Sequence, residues 1–384
     1  MNAEKINLVV FTREYPVGMA GTKRIQHLLE YLMNQNININ VISFRSKNLQ
    51  PARKGLYNSI HYHNIGPGTD MKLLHLHKII IYYLSGLKAI LDYRKRKNKN
   101  IIYNSGGISI ENILFVIWAK ILGYKLLLAI EEDYTFFKDN IKQISRFKFW
   151  TIKRLDFLNC SWANAIIVIS EYLKNKYLKL KTEKVILVPI TAKLNHNEHK
   201  NDFNSPLQVV YAGTFADKDG VINIIKGFSY FNKLYKNAQL ILTGKSAQQI
   251  QYQEKYKNLD NIIFTGFVPD DEFYQLLRNA DVLCMCRTES DFANAGFPFK
   301  LGEYLATGNP VICTKVSDVE IYLTDNDAYL IDPDNPQQIC DALTEITINP
   351  EAARQKGLNG MKKCRKFFSP ESNGKLLYEL INSI

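Results

Sequence analysis

The sequence predicts an α/β protein made of two doubly wound parallel-sheet halves that face a central cleft. Three observations carry this. Short, near-continuous apolar runs alternate with stretches of helical periodicity, as strands buried on both faces of a parallel sheet require. The alternation stops at residues 193–206, rich in Asn, His, Lys and Asp, and restarts at Leu207 with the same grammar. Several runs also end in glycine, as at Gly213 and Gly244, where an open sheet collects its ligands.

Residues 6–11 read as the first strand. A loop at 15–22, a helix carrying Leu28, Leu29 and Leu32, and a strand at 39–44 complete a βαβ unit. Gly18 and Gly21 stand three apart, a fragment of a phosphate loop without the full dinucleotide fingerprint or a Walker lysine. His61 and His63 share a strand face while His75 and His77 diverge on a helix. No carboxylate joins them at ligand spacing, so no metal site is expected.

Residues 72–99 mix Leu73, Leu74, Leu76, Ile79, Ile80, Tyr82, Leu87 and Leu91 with Lys72, Lys78, Lys88 and a basic run at 94–99. Residues 141–155 repeat the pattern, with Phe147, Phe149 and Trp150 among Lys142, Arg146, Lys148, Lys153 and Arg154. Both read either as core helices with solvated basic ends or as helices resting on an anionic membrane surface, and the repetition favours the membrane.

Further strands are expected at 101–104 and 125–130, with a helix at 112–122 between them. The second strand ends at Glu131, Glu132 and Asp133, and either glutamate reads as a general base or as a solvated loop edge. Residues 163–170 form a strand feeding a helix capped by Ser170, and 185–189 end the first half. In the second half, strands are expected at 207–213, 239–244, 261–269, 280–286, 311–313 and 329–331, with helices from Val221, Pro269 and Pro336 and a last helix after Phe367.

The chain has 384 residues and is 46% hydrophobic, enough for two cores. Its net charge of +12 suits an anionic substrate, a membrane face or nucleic acid, but no nucleic-acid recognition motif is present. Cys284 and Cys286 alternate in an apolar run as one face of a buried strand, and the other cysteines show no pairing or metal spacing, which points to reduced thiols. The apolar run at 79–84 is too short to span a bilayer, and the chain opens directly into a strand with no signal-peptide pattern.

The most informative stretch is Ala295-Gly-Phe-Pro-Phe-Lys-Leu-Gly-Glu-Tyr-Leu-Ala-Thr-Gly-Asn-Pro310, a loop, helix and turn before the strand at Val311. A helix start leaves backbone N–H groups without partners, and Lys300 and Glu303 lie three apart on neighbouring positions of one face. One face thus offers a cation for phosphate and a carboxylate for hydroxyls.

This run resembles the donor-binding signature of family 4 retaining glycosyltransferases, in which a first glutamate is followed after seven residues by a second. The second is Glu303, whereas the first position holds Ala295. The resemblance implies a GT-B architecture of two Rossmann-like domains: 1–192 for the acceptor, a linker at 193–206, 207–365 for the nucleotide sugar, and a helix at 366–384 crossing back. It implies that Glu303 holds the ribose, that Gly296, Phe297 and Pro298 line the donor with Gly213, Thr214 and Gly244, and that Phe267 and Val268 meet the base. An arginine of the family is replaced by Thr214, which leaves Lys218 and Lys300 to neutralise the diphosphate. Gly18, Gly21 and Arg24 fall in the loop near the acceptor and the phosphates, and Glu131 or Glu132 is the candidate to receive the acceptor's proton.

The function expected is transfer of a hexose or related sugar, with retention, from a nucleotide diphosphate sugar to a saccharide or polyprenyl-linked acceptor in bacterial surface polysaccharide synthesis. No cofactor or metal is expected beyond the donor substrate, and no nucleic acid. The expected location is cytoplasmic, peripheral on the inner face of the cell membrane. The alternatives are a non-catalytic scaffold subunit, or a sugar-nucleotide epimerase or phosphorylase on the same fold.

Overall fold

The computed structural model describes residues 5–18, 20–44, 53–66, 76–136, 146–180, 184–194 and 203–384. Lys72, Leu73, Leu74, His75, Lys142 and most of the 193–206 stretch lie outside these, as do the side chains of Leu76, Arg146, Phe147, Lys148, Phe149 and Lys153. The chain divides into two compact units, Met1–Pro189 with Asn373–Ile384, and Ile190–Ser372.

In the first unit the strands are β1 (Ile6–Thr12), β2 (Ile37–Ser43), β3 (Lys54–Tyr57), β4 (Ile60–Asn64), β5 (Lys99–Ser105), β6 (Lys125–Ile130), β7 (Ala165–Val168) and β8 (Val185–Leu187). Their order is β3-β4-β2-β1-β5-β6-β7-β8, parallel except for the β3–β4 hairpin. Helices α1 (Ala20–Met33), α2 (Leu76–Tyr93), α3 (Ile113–Ile121), α4 (Arg146–Trp162) and α5 (Glu171–Lys179) supply the crossovers. Because both faces of a parallel sheet are covered, its central strands are mostly apolar, and all seven residues of β1 are buried, Asn7 and Thr12 included. One face packs Leu8 and Val10 against Leu28 and Leu32 of α1 and against Leu377 and Leu380 of the last helix, Pro370–Ser383. The other face is aromatic, with Phe11, Phe44 and Phe115 in mutual ring contact and Tyr82 packed edge-on against Phe115.

Two expectations for this unit change. The helix expected over 72–99 ends at Tyr93, and the basic run after it is a turn that leads into β5 at Lys99. Tyr82, expected on a membrane-facing side, is 1% exposed because its ring fills the aromatic layer.

The second unit holds β9 (Leu207–Ala212), β10 (Ala238–Thr243), β11 (Ile262–Gly266), β12 (Val282–Met285), β13 (Val311–Thr314) and β14 (Tyr329–Ile331), all parallel in the order β11-β10-β9-β12-β13-β14. Its helices are α6 (Val221–Leu234), α7 (Ala247–Tyr256), α8 (Asp270–Asn279), α9 (Asp291–Ala295), α10 (Phe299–Leu305), α11 (Val319–Tyr322), α12 (Pro336–Ile348) and α13 (Pro350–Phe367). Val209, Tyr211, Leu240 and Cys284 meet Ile224, Phe228 and Leu343 in its core. The last helix starts at Pro370, later than a start at Phe367 would place it. Phe367 ends α13 instead, and the Ser369 hydroxyl accepts from the Ser372 N–H as the new cap.

Candidate functional site

In an open α/β sheet, ligands gather at the carboxyl ends of the strands where the order reverses. In the second unit that point lies between β9 and β12, since β10 and β11 lie on one side and β13 and β14 on the other. The loops leaving β9 and β12 meet there, with the Thr288 N–H donating to the Lys218 carbonyl at 3.1 Å. Gly220, at φ +60°, closes the turn after β9, where a Cβ would strike the Cys286 carbonyl. Gly244, at φ +145°, ends β10, and a Cβ there would strike the Gly213 carbonyl. The tips of β9 and β10 therefore present bare backbone.

Between these loops lies a charged cluster. Asp219, 4% exposed, accepts from Lys300 Nζ at 2.9 Å, from the Tyr211 hydroxyl at 3.0 Å and from the Thr214 hydroxyl at 3.2 Å. Lys300 also donates to Tyr211 Oη at 3.1 Å and lies 4.5 Å from that ring's centre. The ammonium fits only because Gly213 has no side chain, since a Cβ would come within 2.5 Å of Nζ. Tyr304, next to Glu303, anchors α10 beneath the cluster by accepting from the Ala212 N–H at 2.8 Å.

Burial pushes the Asp219 carboxyl up, but the Lys300 and Arg287 charges and the bonds from Lys300 and Tyr211 outweigh it and hold the group at about 2. Lys300 moves down from its ordinary value. Burial is the main cause and the like charges of Arg287 and Lys218 add to it, against the pull of Asp219. The two directions differ because the lysine faces neighbouring cations as well as its partner. Lys300 and Arg287 thus act on the Asp219 carboxylate, and Lys218, its Nζ 4.4 Å from the centre of the Phe292 ring, places a further positive charge near Lys300, a concentration of cations suited to an anion.

Around the cluster the expected donor residues separate. Gly213, Thr214, Lys218, Gly244 and Lys300 come together at the strand ends, with Glu303 half-buried on α10. Phe267 is 69% exposed at the end of β11, so it is no core aromatic, and Val268 beside it is half-buried. Phe297 is different. Its ring packs on Tyr322 and Phe368 at 5.5 and 5.7 Å, so the side chain belongs to the core and does not line a donor site. Gly296 and Pro298 flank it, and Pro298 is the N-cap of α10. That helix has seven residues, so the positive charge here comes from side chains more than from a long dipole. Ala295 is wholly buried at the end of α9.

The sequence reading missed Asp219, Arg287, Tyr211 and Tyr304. Asp219 sits beside Lys218 and before a glycine that needs a left-handed turn, and this was the available signal. Nothing local marked Arg287, the first residue past Cys286.

In the first unit the order reverses between β1 and β5. Arg24 was expected in a phosphate loop, but its guanidinium is 1% exposed, donating to Glu131 at 3.1 Å and to the Val188 carbonyl at 2.7 Å. A side chain buried and pinned in this way is a clamp between strand ends. Gly18 lies against Thr22, whose hydroxyl donates to the Glu14 carbonyl at 3.1 Å, and a Cβ on Gly21 would stand in ordinary contact with Glu131 at 3.6 Å. Burial raises the Glu131 carboxyl, the Arg24 charge opposes this, and Glu132 adds to it. Glu131 is therefore a carboxylate of raised proton affinity held by a buried cation, not a solvated loop edge. Glu132 is half-buried next to it. Asp133 goes to a separate network with Lys176 and Asp156. Among the described residues no three His, Cys, Asp or Glu side chains converge on a metal-sized site.

Comparison with known proteins agrees with this layout. Residues 193–363 match the family described as Glycosyl transferases group 1. The chain is 27% identical over 242 residues to the uncharacterized glycosyltransferase MJ1178 of Methanocaldococcus jannaschii, an alignment spanning 61% of this chain and 62% of that protein. Sucrose-phosphate synthase from Thermosynechococcus elongatus superposes with a TM-score of 0.76 over 98% of both chains at 15% identity. HepE of Anabaena, solved with UDP and glucose, gives 0.73 over 99% of this chain and 100% of its own at 12% identity. The fold is thus α/β with two parallel-sheet Rossmann-like domains, as in these GT-B structures.

Proposed function

We propose that this protein is a glycosyltransferase that moves a hexose or related sugar, with retention, from a nucleoside-diphosphate sugar to a saccharide acceptor carried on a lipid, in the synthesis of a bacterial surface polysaccharide. The observation that carries the reading is the Lys300–Asp219 cluster with Arg287 and Lys218 at the switch point of the second sheet. The group 1 match over the same residues and the HepE structure with UDP-glucose support it.

In this reading Lys300, Lys218 and Arg287 hold the diphosphate, the Glu303 carboxylate accepts from ribose hydroxyls, and Phe267 with Val268 meets the base. The bond between the anomeric carbon and the β-phosphate oxygen breaks, leaving its electron pair on the phosphate. Cations placed in advance where that charge grows are the largest contribution such a site makes. The acceptor oxygen bonds to the anomeric carbon on the face the phosphate leaves, and its proton passes to Glu131 or Glu132. Asp219 touches neither reactant and positions Lys300.

The test is calorimetry with uridine, guanosine and adenosine diphosphates on the wild type and Glu303→Ala. One diphosphate is expected to bind the wild type, and the variant to bind it on the order of ten- to a hundredfold more weakly, as for lost hydrogen bonds to a charged group. No binding of any diphosphate at millimolar concentration overturns the reading.

A further inference from the structure

Adjacent helices α2 and α3 cover one face of the first sheet. The Gly86 backbone of α2 approaches the Phe115 ring too closely for a side chain, and Trp118 Nε1 of α3 donates to the Leu87 carbonyl at 3.2 Å. Each helix buries one stripe and turns another outward. On ordinary surface helices the outward stripe is polar. Here it is apolar twice over, with Ile81, Leu84 and Leu91 exposed on α2 and Leu114, Ile117 and Ile121 exposed on α3. Leu84 is 61% exposed and Ile121 69%. On α3 the three stand at i, i+3 and i+7 and so line one face; on α2 Ile81 and Leu84 stand three apart and Leu91 follows two turns after Leu84, with Lys88 between them, so neither set is scattered singly.

Cations accompany the rows. Lys88 stands within the α2 row, Lys78 lies near its start, and Lys95, Arg96 and Lys97 are exposed in the turn beyond it. Lys120 and Lys125 are exposed at the end of α3 and the start of β6. Against them the two helices and their immediate flanks bring Asp92 and Glu111. A second copy of the chain docked on this face would set lysines against lysines. An anionic bilayer takes both components at once, the apolar rows below the headgroups and the ammonium groups among the phosphates.

We propose that the exposed α2–α3 face is a docking surface for an anionic lipid bilayer. The sequence pattern pointed to α2 and to residues 141–155, most of whose side chains lie outside the described residues; the structure adds to α2 an apolar row on α3, Leu114, Ile117 and Ile121. This inference stands apart from the sugar-transfer reading, because binding is measured without turnover.

The experiment is flotation of the full-length protein with phosphatidylcholine vesicles and with phosphatidylcholine–phosphatidylglycerol vesicles at roughly 3:1, at low and high salt. The expected result is binding to the anionic vesicles alone, reduced by salt. Leu84→Asp/Ile117→Asp should lower it on the order of tenfold or more, given lost apolar insertion. Lys88→Glu/Lys120→Glu should also weaken it, and serves if the first pair does not fold. Urea midpoints and diphosphate binding by the second unit check that each variant remains intact. Equal binding to neutral vesicles, no binding to either, or intact variants that bind as the wild type does overturn the proposal. So does a stable dimer in sedimentation velocity that Leu84→Asp/Ile117→Asp dissolves, which would make the face a self-interface.

Discussion

Replacing Asp219 with asparagine removes the carboxylate that pairs with Lys300, and its effect follows from the geometry. The folded carboxyl sits at about 2 against an ordinary 3.8. At about 1.4 kcal/mol per unit, that difference corresponds to about 2–3 kcal/mol of stability. Because the folded value is depressed, this stabilisation is present above pH 3.8 and is lost as pH falls toward 2. Near neutrality the substitution does more than remove it. Lys300 remains buried without the carboxylate it pairs with, and breaking a buried pair in this way costs about 3–5 kcal/mol. Lys300 already has a lowered proton affinity in the intact pair, so its own side adds nothing to the stabilisation.

In a unit of this size 1 kcal/mol moves the melting temperature by about 2–4 °C, so Asp219→Asn should melt roughly 6–20 °C lower. Differential scanning calorimetry at pH 7 measures this. Pyrophosphate should raise the melting temperature of the variant more than that of the wild type, since an anion replaces the missing charge. A variant that melts within about 2 °C of the wild type would refute the reasoning, because such a shift lies below the cost of any stranded buried charge. A smaller pyrophosphate effect in the variant would show that the ligand anion does not reach these cations.

Three further outcomes are expected. Gly244→Ala should destabilise the second unit by about 1–3 kcal/mol or more and abolish diphosphate binding, as the added Cβ meets the Gly213 carbonyl at a φ of +145°; urea unfolding with calorimetry reads both. Phe267→Ala should leave stability within about 0.5 kcal/mol, because the ring is exposed, yet weaken nucleoside diphosphate binding by about 1–3 kcal/mol while sparing pyrophosphate; equal losses for both ligands would rule out a role for the ring at the base. Glu131 has a raised folded value, so its contribution is full below the unfolded pKa of about 4.5 and is lost as pH rises through the folded one; urea midpoints of the wild type should carry a downward component above pH 4.5 that Glu131→Gln lacks.

Much of this was legible before the structure. Strands such as β1, β6 and β9 announce themselves as apolar runs because a parallel sheet buried on both faces leaves no polar side to disguise them. The break after Ala192 and the restart at Leu207 separated two sheets for the same reason. Gly213, Gly244, Lys300 and Glu303 were readable because a strand end, a glycine and a short helix lie within a few residues of one another.

What the sequence could not show is which charges meet. Lys300 and Asp219 are 81 residues apart and pair only because β9 and β12 are neighbours and Gly213 leaves room for the ammonium. Arg24 carries nothing in its local pattern to say that Glu131 and the Val188 carbonyl will bury it, which needs β1, β6 and β8 in one sheet. Phe297 and Phe267 look alike in the chain, yet one fills an aromatic cluster and the other stands in solvent, because burial depends on what packs from elsewhere. Local pattern records the period of an element and the ends of strands. Pairing between distant charges and the inward or outward turn of a side chain arise only when the sheets assemble.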